Sequence, residues 1–197
     1  GIGPHDVAIS LVKAVFESSF VKNKALEFAG PGVAELPIDF RNGIDVMTTE
    51  TTCLSSIWIT DDKVKDYFEM HGRPSAYRKL DPGAVTYYDS LITIDLSSQE
   101  SMIALPYHPS NAVSIHELQE NPEKVLMAIE EDTVKRFGDK VHPDLMSKIR
   151  GGKVWADQGI IAGCSGGTYD NLSEAATILK GKSIGNDYFT MSAYPQS

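Results

Sequence analysis

A glycine-rich loop between an apolar strand and a helix, Ile160–Gly167 (IIAGCSGG), is the feature that most constrains this chain. The residues before the loop are typical of the end of a buried strand. Apolar residues recur at helical spacing after it, at Leu172, Ala175, Ala176 and Leu179. Asp170 or Asn171 is predicted to cap this helix, and Gly181 stands where a helix commonly ends. Cys164 is therefore expected at the carboxyl end of a strand, where α/β folds gather their ligands.

The spacing around Cys164 leaves three interpretations open. A single cysteine after an apolar strand is commonly a small buried hydrophobic residue. The run Ala162–Gly166 also approximates the small-x-nucleophile-x-Gly turn of hydrolases, in which a cysteine nucleophile needs a base such as histidine. In the third interpretation, Cys164 is one thiolate ligand of an iron–sulfur cluster whose other cysteines lie elsewhere.

The charge balance limits the partners of the chain. It has 27 acidic and 18 basic residues among 197, and a net charge of −9. Nucleic acids and anionic membranes both require a basic face, so neither is an expected partner. An anionic substrate would need a local cationic site. No apolar run approaches the roughly 18 residues of a membrane span, and no signal-peptide pattern is present.

The two cysteines and the two termini suggest where this chain belongs. Cys53 and Cys164 are too few for a disulfide scaffold and fit a reducing cytoplasm. Cys53 lies within a predicted strand and is interpreted as a core residue. The chain starts without methionine, directly before a helix, and stops just after a strand. We expect a piece of a longer protein.

Strands and helices alternate over residues 1–108, which predicts a layered α/β domain. The predicted elements are, in order, an apolar helix from Pro4 to Phe20, a strand at Lys24–Phe28, a helix from Pro37 to Thr49, a strand at Thr52–Ile59, a helix at Asp61–His71 capped by Thr60, and a strand at Tyr87–Leu96.

Residues 109–150 are predicted to be a connector or insertion, and residues 151–197 the start of a second α/β domain. The connector holds a charged helix, Glu123–Phe137, whose apolar positions are Val125, Leu126, Ile129 and Val134. The strand-loop-helix-strand unit that follows carries Cys164 and ends in a strand at Tyr188–Met191. One such unit cannot cover both faces of a parallel sheet, so we expect further strands from the longer protein.

The histidines and two arginines give no site signal of their own. His5, His71, His108, His116 and His142 lie at helix ends, in turns or in connectors, and none forms a pair with metal-ligand spacing such as His-x3-His. None is assigned to a site. Arg41 and Arg73 are interpreted as solvated surface residues.

Four segments resemble the aconitase family of hydro-lyases, in its hydratase branch. The run Ile160–Asn171 resembles the family's segment around its first cluster cysteine, and Phe28–Val33 its Gly-Pro-Gly-Val turn. Met47–Glu50 resembles a helix that ends in a glutamate, and Ile94–Ser97 with the later Pro106 resembles the element that closes the second domain. The resemblance covers nearly the whole chain and implies a three-layer α/β/α aconitase-like domain followed by the first unit of another.

The resemblance also implies a chemistry. Family members dehydrate and rehydrate di- or tricarboxylic hydroxy acids with a [4Fe–4S] cluster held by three cysteines. Cys164 matches the first cluster cysteine, and Glu50 matches a catalytic carboxylate beside the iron that has no protein ligand. The Cys-x-x-Cys pair, the catalytic serine and the substrate-binding arginines belong to parts that this chain lacks. The chain by itself is therefore expected to be inactive and to bind no cluster.

Two positions depart from the family pattern. Val46 stands where the family has an asparagine four residues before the glutamate, and neighbouring Asp45 is a possible substitute. Gly166 stands where the family has an asparagine two residues after the cysteine. Both changes remove polar contacts and alter substrate discrimination, so a small hydroxy acid other than citrate is the alternative substrate. The competing hypotheses are a hydrolase with Cys164 as nucleophile, and a non-catalytic binding or regulatory module on the same fold.

Overall fold

Helix α1 (Pro4–Val15) lies at the centre of the fold, as described by a computed structural model for residues 1–185 and 188–196. Pro4 occupies the first turn, where its missing N–H costs nothing, and the Asp6 carboxylate accepts a hydrogen bond from Gly3 N–H at 2.6 Å. Buried residues lie on more than one side of the helix: Val7, Ala8, Ile9, Leu11, Val12 and Val15. The helix ends at Val15, earlier than predicted, and Phe20 lies partly exposed in the turns that follow.

The first parallel pair of strands is connected through two helices and a 3₁₀ turn. Strands β1 (Ala25–Phe28) and β2 (Ser55–Trp58) pair in parallel register. Between them lie α2 (Pro31–Glu35), α3 (Ile38–Met47) and a 3₁₀ turn at Thr48–Thr51. Both predicted strands and the intervening helix are confirmed, and the rings of Phe28 and Trp58 stack across the pair at 4.2 Å between centroids.

Helix α4 (Asp62–Met70) follows β2, and its cap differs from the predicted one. Asp61 caps the helix by accepting a hydrogen bond from Val64 N–H at 3.1 Å. The predicted cap, Thr60, was wrong because its hydroxyl accepts a hydrogen bond from Leu80 N–H at 2.7 Å instead. The Thr60 side chain therefore holds the returning chain rather than the helix.

The strand predicted at Tyr87–Leu96 is absent, because this segment has no regular backbone pairing in the structure. Ile92 and Ile94 pack against the core cluster of Leu11, Val15 and Val21. In contrast, Tyr87 is 92% exposed and Leu91 is also exposed. The alternation in sequence thus reflects burial on one side of an extended segment that joins no sheet.

The next region has a core of its own. Strands β3 (Met102–Ala104) and β4 (Ala112–Ser114) are antiparallel, and helices α5 (Ile115–Glu120) and α6 (Pro122–Phe137) follow. The predicted helix is confirmed, and its buried cluster is Leu118, Val125, Leu126 and Ile129. Val134, expected on the same face, is 42% exposed, and Thr133 is buried in its place.

The final region contains the predicted strand-loop-helix-strand unit. After a short antiparallel pair, β5 (Ile149–Arg150) and β6 (Lys153–Val154), strand β7 (Gln158–Ala162) leads into a helical turn, α7 (Gly163–Gly166). Helix α8 (Tyr169–Leu179) then crosses to β8 (Thr190–Tyr194), which pairs with β7 in parallel. The last strand thus begins two residues later than predicted and extends three residues further.

The caps of α8 are only partly as predicted. Its N-cap is Thr168, and Asp170 and Asn171 lie in the first turn, so the predicted cap was wrong. The Asn171 amide is used differently, since it donates a hydrogen bond to Ser165 O at 3.0 Å. Gly181 follows the helix with φ +71°, the left-handed conformation expected of a residue that ends a helix.

The fold is thus α/β, with short strands that pair two by two between helices. Within residues 1–185 and 188–196, no helix combines the length and the apolar character that crossing a bilayer requires.

Candidate functional site

The loop that carries Cys164 presents its thiol to solvent. Gly163 has φ +83°, a conformation that favours glycine, and it turns the chain out of β7 into α7. Cys164 is exposed, whereas the next residue, Ser165, is buried and donates a hydrogen bond to Gly43 O at 2.9 Å. Exposure argues against the interpretation of Cys164 as a small buried hydrophobic residue.

The main chain of the cysteine loop is held by hydrogen bonds from Gln196, which follows β8. The Gln196 amide side chain donates to Cys164 O at 3.3 Å, and the Gln196 backbone N–H donates to Gly167 O at 2.8 Å. A Cβ on Gly167 would lie 2.5 Å from Tyr194 O and 2.8 Å from Gly163 O, so no larger residue fits there without movement of the backbone. The cysteine is thus placed by backbone contacts.

His5 is the histidine that packs against this loop. Its Cε1 lies 3.6 Å from the position that a Cβ on Gly166 would take. Burial lowers the pKa of His5 below its usual value, and the negative charge of Asp6 opposes that shift. No hydrogen bond or ion pair joins a histidine to the Cys164 thiol in the described residues, so the base that a cysteine hydrolase needs is not in place here.

An acidic group borders the loop at the start of α8. Asp39 accepts a hydrogen bond from Asp170 N–H at 3.2 Å. Burial raises the pKa of Asp170, and the negative charges of Asp39 and Glu174 raise it further. This edge of the loop therefore repels an anionic substrate, whose cationic partners must come from another direction.

Glu50 lies in the 3₁₀ turn after α3, where it faces His108, a histidine that no local spacing had singled out. His108 Nε2 is 3.8 Å from Glu50 Oε2. The side chains are 32% exposed for the histidine and 47% exposed for the glutamate. His108 stacks on Phe16, with ring centroids 3.7 Å apart and an angle of 24° between planes. No local spacing signals this contact, because the three residues come from three distant segments.

The two predicted site residues lie towards opposite ends of α1. The cysteine loop packs near Pro4 through Gly43 and Ser165, while His108, which faces Glu50, stacks on Phe16 just past the other end of the helix. A twelve-residue helix is about 18 Å long. In the part of the chain that the structure describes, no hydrogen bond or ion pair connects Glu50 with Cys164.

The residues at the family's asparagine positions have been placed as well. Asp45, considered as a substitute for the asparagine missing at Val46, accepts a hydrogen bond from Trp58 Nε1 at 2.8 Å. This contact ties the carboxylate to β2. Gly166 has space for a Cβ beside the ring of His5.

Arg41 and Cys53 serve the interior. Arg41 is only 3% exposed, so its interpretation as a surface residue was wrong. It donates to Asp61 Oδ2 at 2.5 Å and to Leu36 O at 3.2 Å. Cys53 is half-buried, packs beside the core cluster under α1, and donates to Thr48 O at 3.4 Å, as expected of a core residue. Arg73 lies exposed beside the Phe68 ring.

Among the described residues, the thiol of Cys164 fits one ligand position of an iron–sulfur cluster. Cys164 is an exposed thiol flanked by Gly163 and Gly166, so a bulky group can approach its sulfur. No set of three histidine, cysteine, aspartate or glutamate residues within residues 1–185 and 188–196 could hold a metal ion.

Comparison with known proteins identifies the family of this chain. The sequence matches the aconitase family (aconitate hydratase) over residues 1–197. It is 31% identical over 161 residues to a 2,3-dimethylmalate dehydratase large subunit of Eubacterium barkeri, a match that covers 82% of this chain and 30% of that protein.

Two further relatives extend the comparison. A 3-isopropylmalate dehydratase large subunit of Nitratidesulfovibrio vulgaris is 27% identical over 183 residues, covering 93% of this chain and 35% of the relative. The aconitase htyD of Aspergillus rugulosus is 31% identical over 121 residues, or 59% of this chain and 14% of the relative. The chain spans about a third of the length of the dehydratase subunits that it matches. With its whole length matched by the family, the chain belongs to the aconitase family.

Proposed function

We propose that this chain is part of a hydro-lyase that adds water to, or removes it from, a di- or tricarboxylic hydroxy acid with the aid of a [4Fe–4S] cluster. The observation that carries the proposal is the exposed Cys164 thiol, presented by a loop in which the Ser165 hydroxyl and the carbonyls of Cys164 and Ser165 are hydrogen-bonded to other residues. Membership of a family of hydratases and dehydratases supports the reaction type.

In this proposal Cys164 is one cluster ligand and Glu50 is a catalytic residue. When bound, the cluster supplies a Lewis acid for the hydroxyl and carboxylate groups of the substrate. Glu50 would hydrogen-bond the substrate hydroxyl and give it the proton with which it leaves as water, and would take that proton back in hydration; its half-exposed side chain can be reached by a substrate.

The substrate we favour is a malate-type dicarboxylate rather than citrate. Val46 offers no hydrogen bond where the family has an amide, and Asp45 is bound to Trp58. The relatives named above act on dimethylmalate and isopropylmalate, according to their names. Those names also identify them as large subunits, so we propose the remaining domains, or a separate small subunit, as the source of the groups that bind the substrate carboxylates.

The deciding experiment is anaerobic iron–sulfide reconstitution of the full-length protein and of its Cys164→Ala variant, followed by visible absorbance and iron counting. A cluster that is present in the parent and lost in the variant supports the proposal. Cys53→Ala is the matched control, because its thiol is half-buried and bonded to Thr48. Loss of the cluster in this control alone, or absence of a cluster in the parent, contradicts the proposal.

A second measurement concerns Glu50. In the full-length protein, Glu50→Gln should lower kcat by about 10²–10⁴-fold, as expected for loss of a general acid–base group, while leaving the iron content unchanged. The 197-residue chain alone should show no turnover of citrate or isocitrate, and measurable turnover would contradict its predicted dependence on other domains.

The exposed thiol also keeps the hydrolase hypothesis testable. If the full-length protein binds no iron and its Cys164 reacts rapidly with iodoacetamide, a cysteine nucleophile becomes the better explanation. A full-length sequence without the Cys-x-x-Cys pair would instead favour the non-catalytic module. Both cysteines are free thiols, and we propose a reducing cytoplasm as the site of action.

A further inference from the structure

We propose that His108 is a positioning residue for Glu50, which it orients through its Nε2–H group. The inference rests on the proposed role of Glu50. It begins from the contact between His108 Nε2 and Glu50 Oε2, 3.8 Å apart. This is the contact that joins Glu50 to a side chain from a distant segment, and it is independent of the cysteine loop at the other end of α1.

The His108 ring is held in one plane. Phe16 stacks on it with centroids 3.7 Å apart and 24° between planes. Phe16 directly follows α1, whose last residue, Val15, is buried in the core. The packed helix therefore sets the position of the imidazole, and rotation of the ring out of its plane would lose the stacking contact.

The hydrogen bonds of the ring also fix its tautomer. Ser110 N–H donates to His108 Nδ1 at 3.1 Å, and the Ser110 hydroxyl lies 2.9 Å from the same nitrogen. A backbone N–H is always a donor, so Nδ1 must accept and the proton of the neutral ring lies on Nε2. The nitrogen that faces Glu50 is thus a hydrogen-bond donor.

The His108 Nε2–Glu50 Oε2 pair lies just beyond hydrogen-bonding distance. At 3.8 Å the pair is longer than a good hydrogen bond, whose upper limit is roughly 3.2 Å. A small rotation of the Glu50 side chain would close it, and both side chains are partly exposed, so a substrate can reach them. With Oε2 directed to His108, Oε1 is left for the substrate hydroxyl.

The other histidine–carboxylate pair of the described residues provides a matched control. His116 Nε2 lies 3.3 Å from Glu120 Oε1, but these residues are one turn apart on α5, and their side chains are 68% and 60% exposed. No aromatic ring stacks on His116 in the described part of the chain. This pair is therefore a surface contact of little energetic weight.

The test combines kinetics of the full-length protein with spectroscopy of the chain. His108→Ala should lower kcat about 10–10²-fold with little change in KM, the cost expected when a reacting group is misplaced by about 1 Å. His108→Gln, whose amide can donate at a similar place, should recover part of that loss. His116→Ala should behave as wild type. Combined with Glu50→Gln, His108→Ala should cause no further loss.

Nitrogen-15 spectra of the histidine rings separate this inference from the proposed function. In the 197-residue chain, His108 should show a protonated Nε2 and an unprotonated Nδ1, and Glu50→Gln should shift the Nε2 signal but not that of His116. These spectra need neither cluster nor substrate, so an inactive parent would overturn the proposed function and leave the pair to be judged by its signals. A protonated Nδ1 with an unprotonated Nε2, an Nε2 signal indifferent to Glu50→Gln, or full activity of a folded His108→Ala variant alongside an impaired Glu50→Gln variant would overturn the inference.

Discussion

The 3₁₀ turn Thr48–Thr51, here called the Glu50 corner, and the loop that holds Cys164 are fixed by different kinds of contact. Glu50 follows α3, in a region where α1, α3 and the neighbouring strands bury a continuous set of aliphatic side chains. In the described residues from 151 onward, no hydrophobic side chain is buried. There the buried side chains are Ser165 and Thr168, and the loop is held by hydrogen bonds to the main chain.

This difference shows how each half of the site tolerates change. A corner supported by aliphatic packing owes its stability to many contacts, each individually small. A loop supported by backbone fit depends on a few positions, so a single methyl group in the wrong place should displace it. Substitutions that separate the two kinds of support therefore test the comparison.

The largest effect is expected at the ion pair that joins α3 to the start of α4. Asp61→Asn leaves the Arg41 guanidinium, which is only 3% exposed, without its charged partner. We expect a loss of about 3 kcal/mol, at the low end for breaking a buried pair because Asp61 is itself partly exposed. Urea unfolding measures this loss.

The control is Asp62→Asn, an exposed residue in the first turn of the same helix, which should change the unfolding free energy by less than about 0.5 kcal/mol. Equal losses in the two variants would show that the ion pair does not stabilise the fold.

A smaller loss is expected from Gly167→Ala in the loop. Its Cβ would lie 2.5–3.0 Å from three backbone atoms, and backbone atoms move only with the whole strand. We expect about 2 kcal/mol of local destabilisation, read from faster hydrogen exchange of the β7 amides, with little change in the amides of α1.

Gly166→Ala is the matched variant, because its Cβ meets only His5 Cε1 at 3.6 Å. If both glycine variants exchange alike, backbone fit is not what holds the loop.

Acid should weaken the contact between α3 and α4 in a way that the Asp61→Asn variant does not share. Burial alone would raise the pKa of Asp61, but the hydrogen bonds from Arg41 and Val64 outweigh it and hold the pKa below its usual value of 3.8. A lowered pKa in the folded state stabilises the protein above the unfolded value, and this contribution is lost as pH falls through the folded pKa.

The difference in unfolding free energy between wild type and Asp61→Asn should therefore shrink as pH is lowered from about 7 to about 3. Urea titrations at both pH values measure it, and a constant difference would show that the ionised Asp61 contributes nothing.

The smallest effect is expected from Ser165→Ala. It removes the hydrogen bond from the Ser165 hydroxyl to Gly43 O and should cost about 1 kcal/mol, the usual net value of one such bond. Because that bond joins the loop to α3, exchange should quicken at the loop and leave the α6 cluster unchanged. Equal changes in both regions would contradict separate support.

Local patterns predicted most elements of this fold but not its long-range pairings. The helical spacing in α6 and the glycine punctuation around α8 act within a few residues, so the sequence displays them directly. The strand predicted at Tyr87–Leu96 failed because one-sided burial produces the same alternation as a ladder. Capping by Asp61 instead of Thr60 depended on Leu80, which is far along the chain.

The residues of the candidate site also divide into those that local sequence singles out and those that only the fold reveals. Cys164 could be found because its glycine-rich loop is contiguous, and Glu50 through a resemblance in the residues just before it. His108 could not be found, since its relation to Glu50 and Phe16 arises only when three distant segments meet. The buried Arg41 was missed for the same reason, as its partner Asp61 lies on another helix.

The two hydrogen bonds from Gln196 have a mechanical consequence. They join the residue just after β8 to the carbonyls of Cys164 and Gly167. A pull on the chain at Gln196 is thus transmitted to the Cys164 backbone without passing through α8. The position of the Cys164 main chain is therefore set jointly by two segments that are distant in sequence.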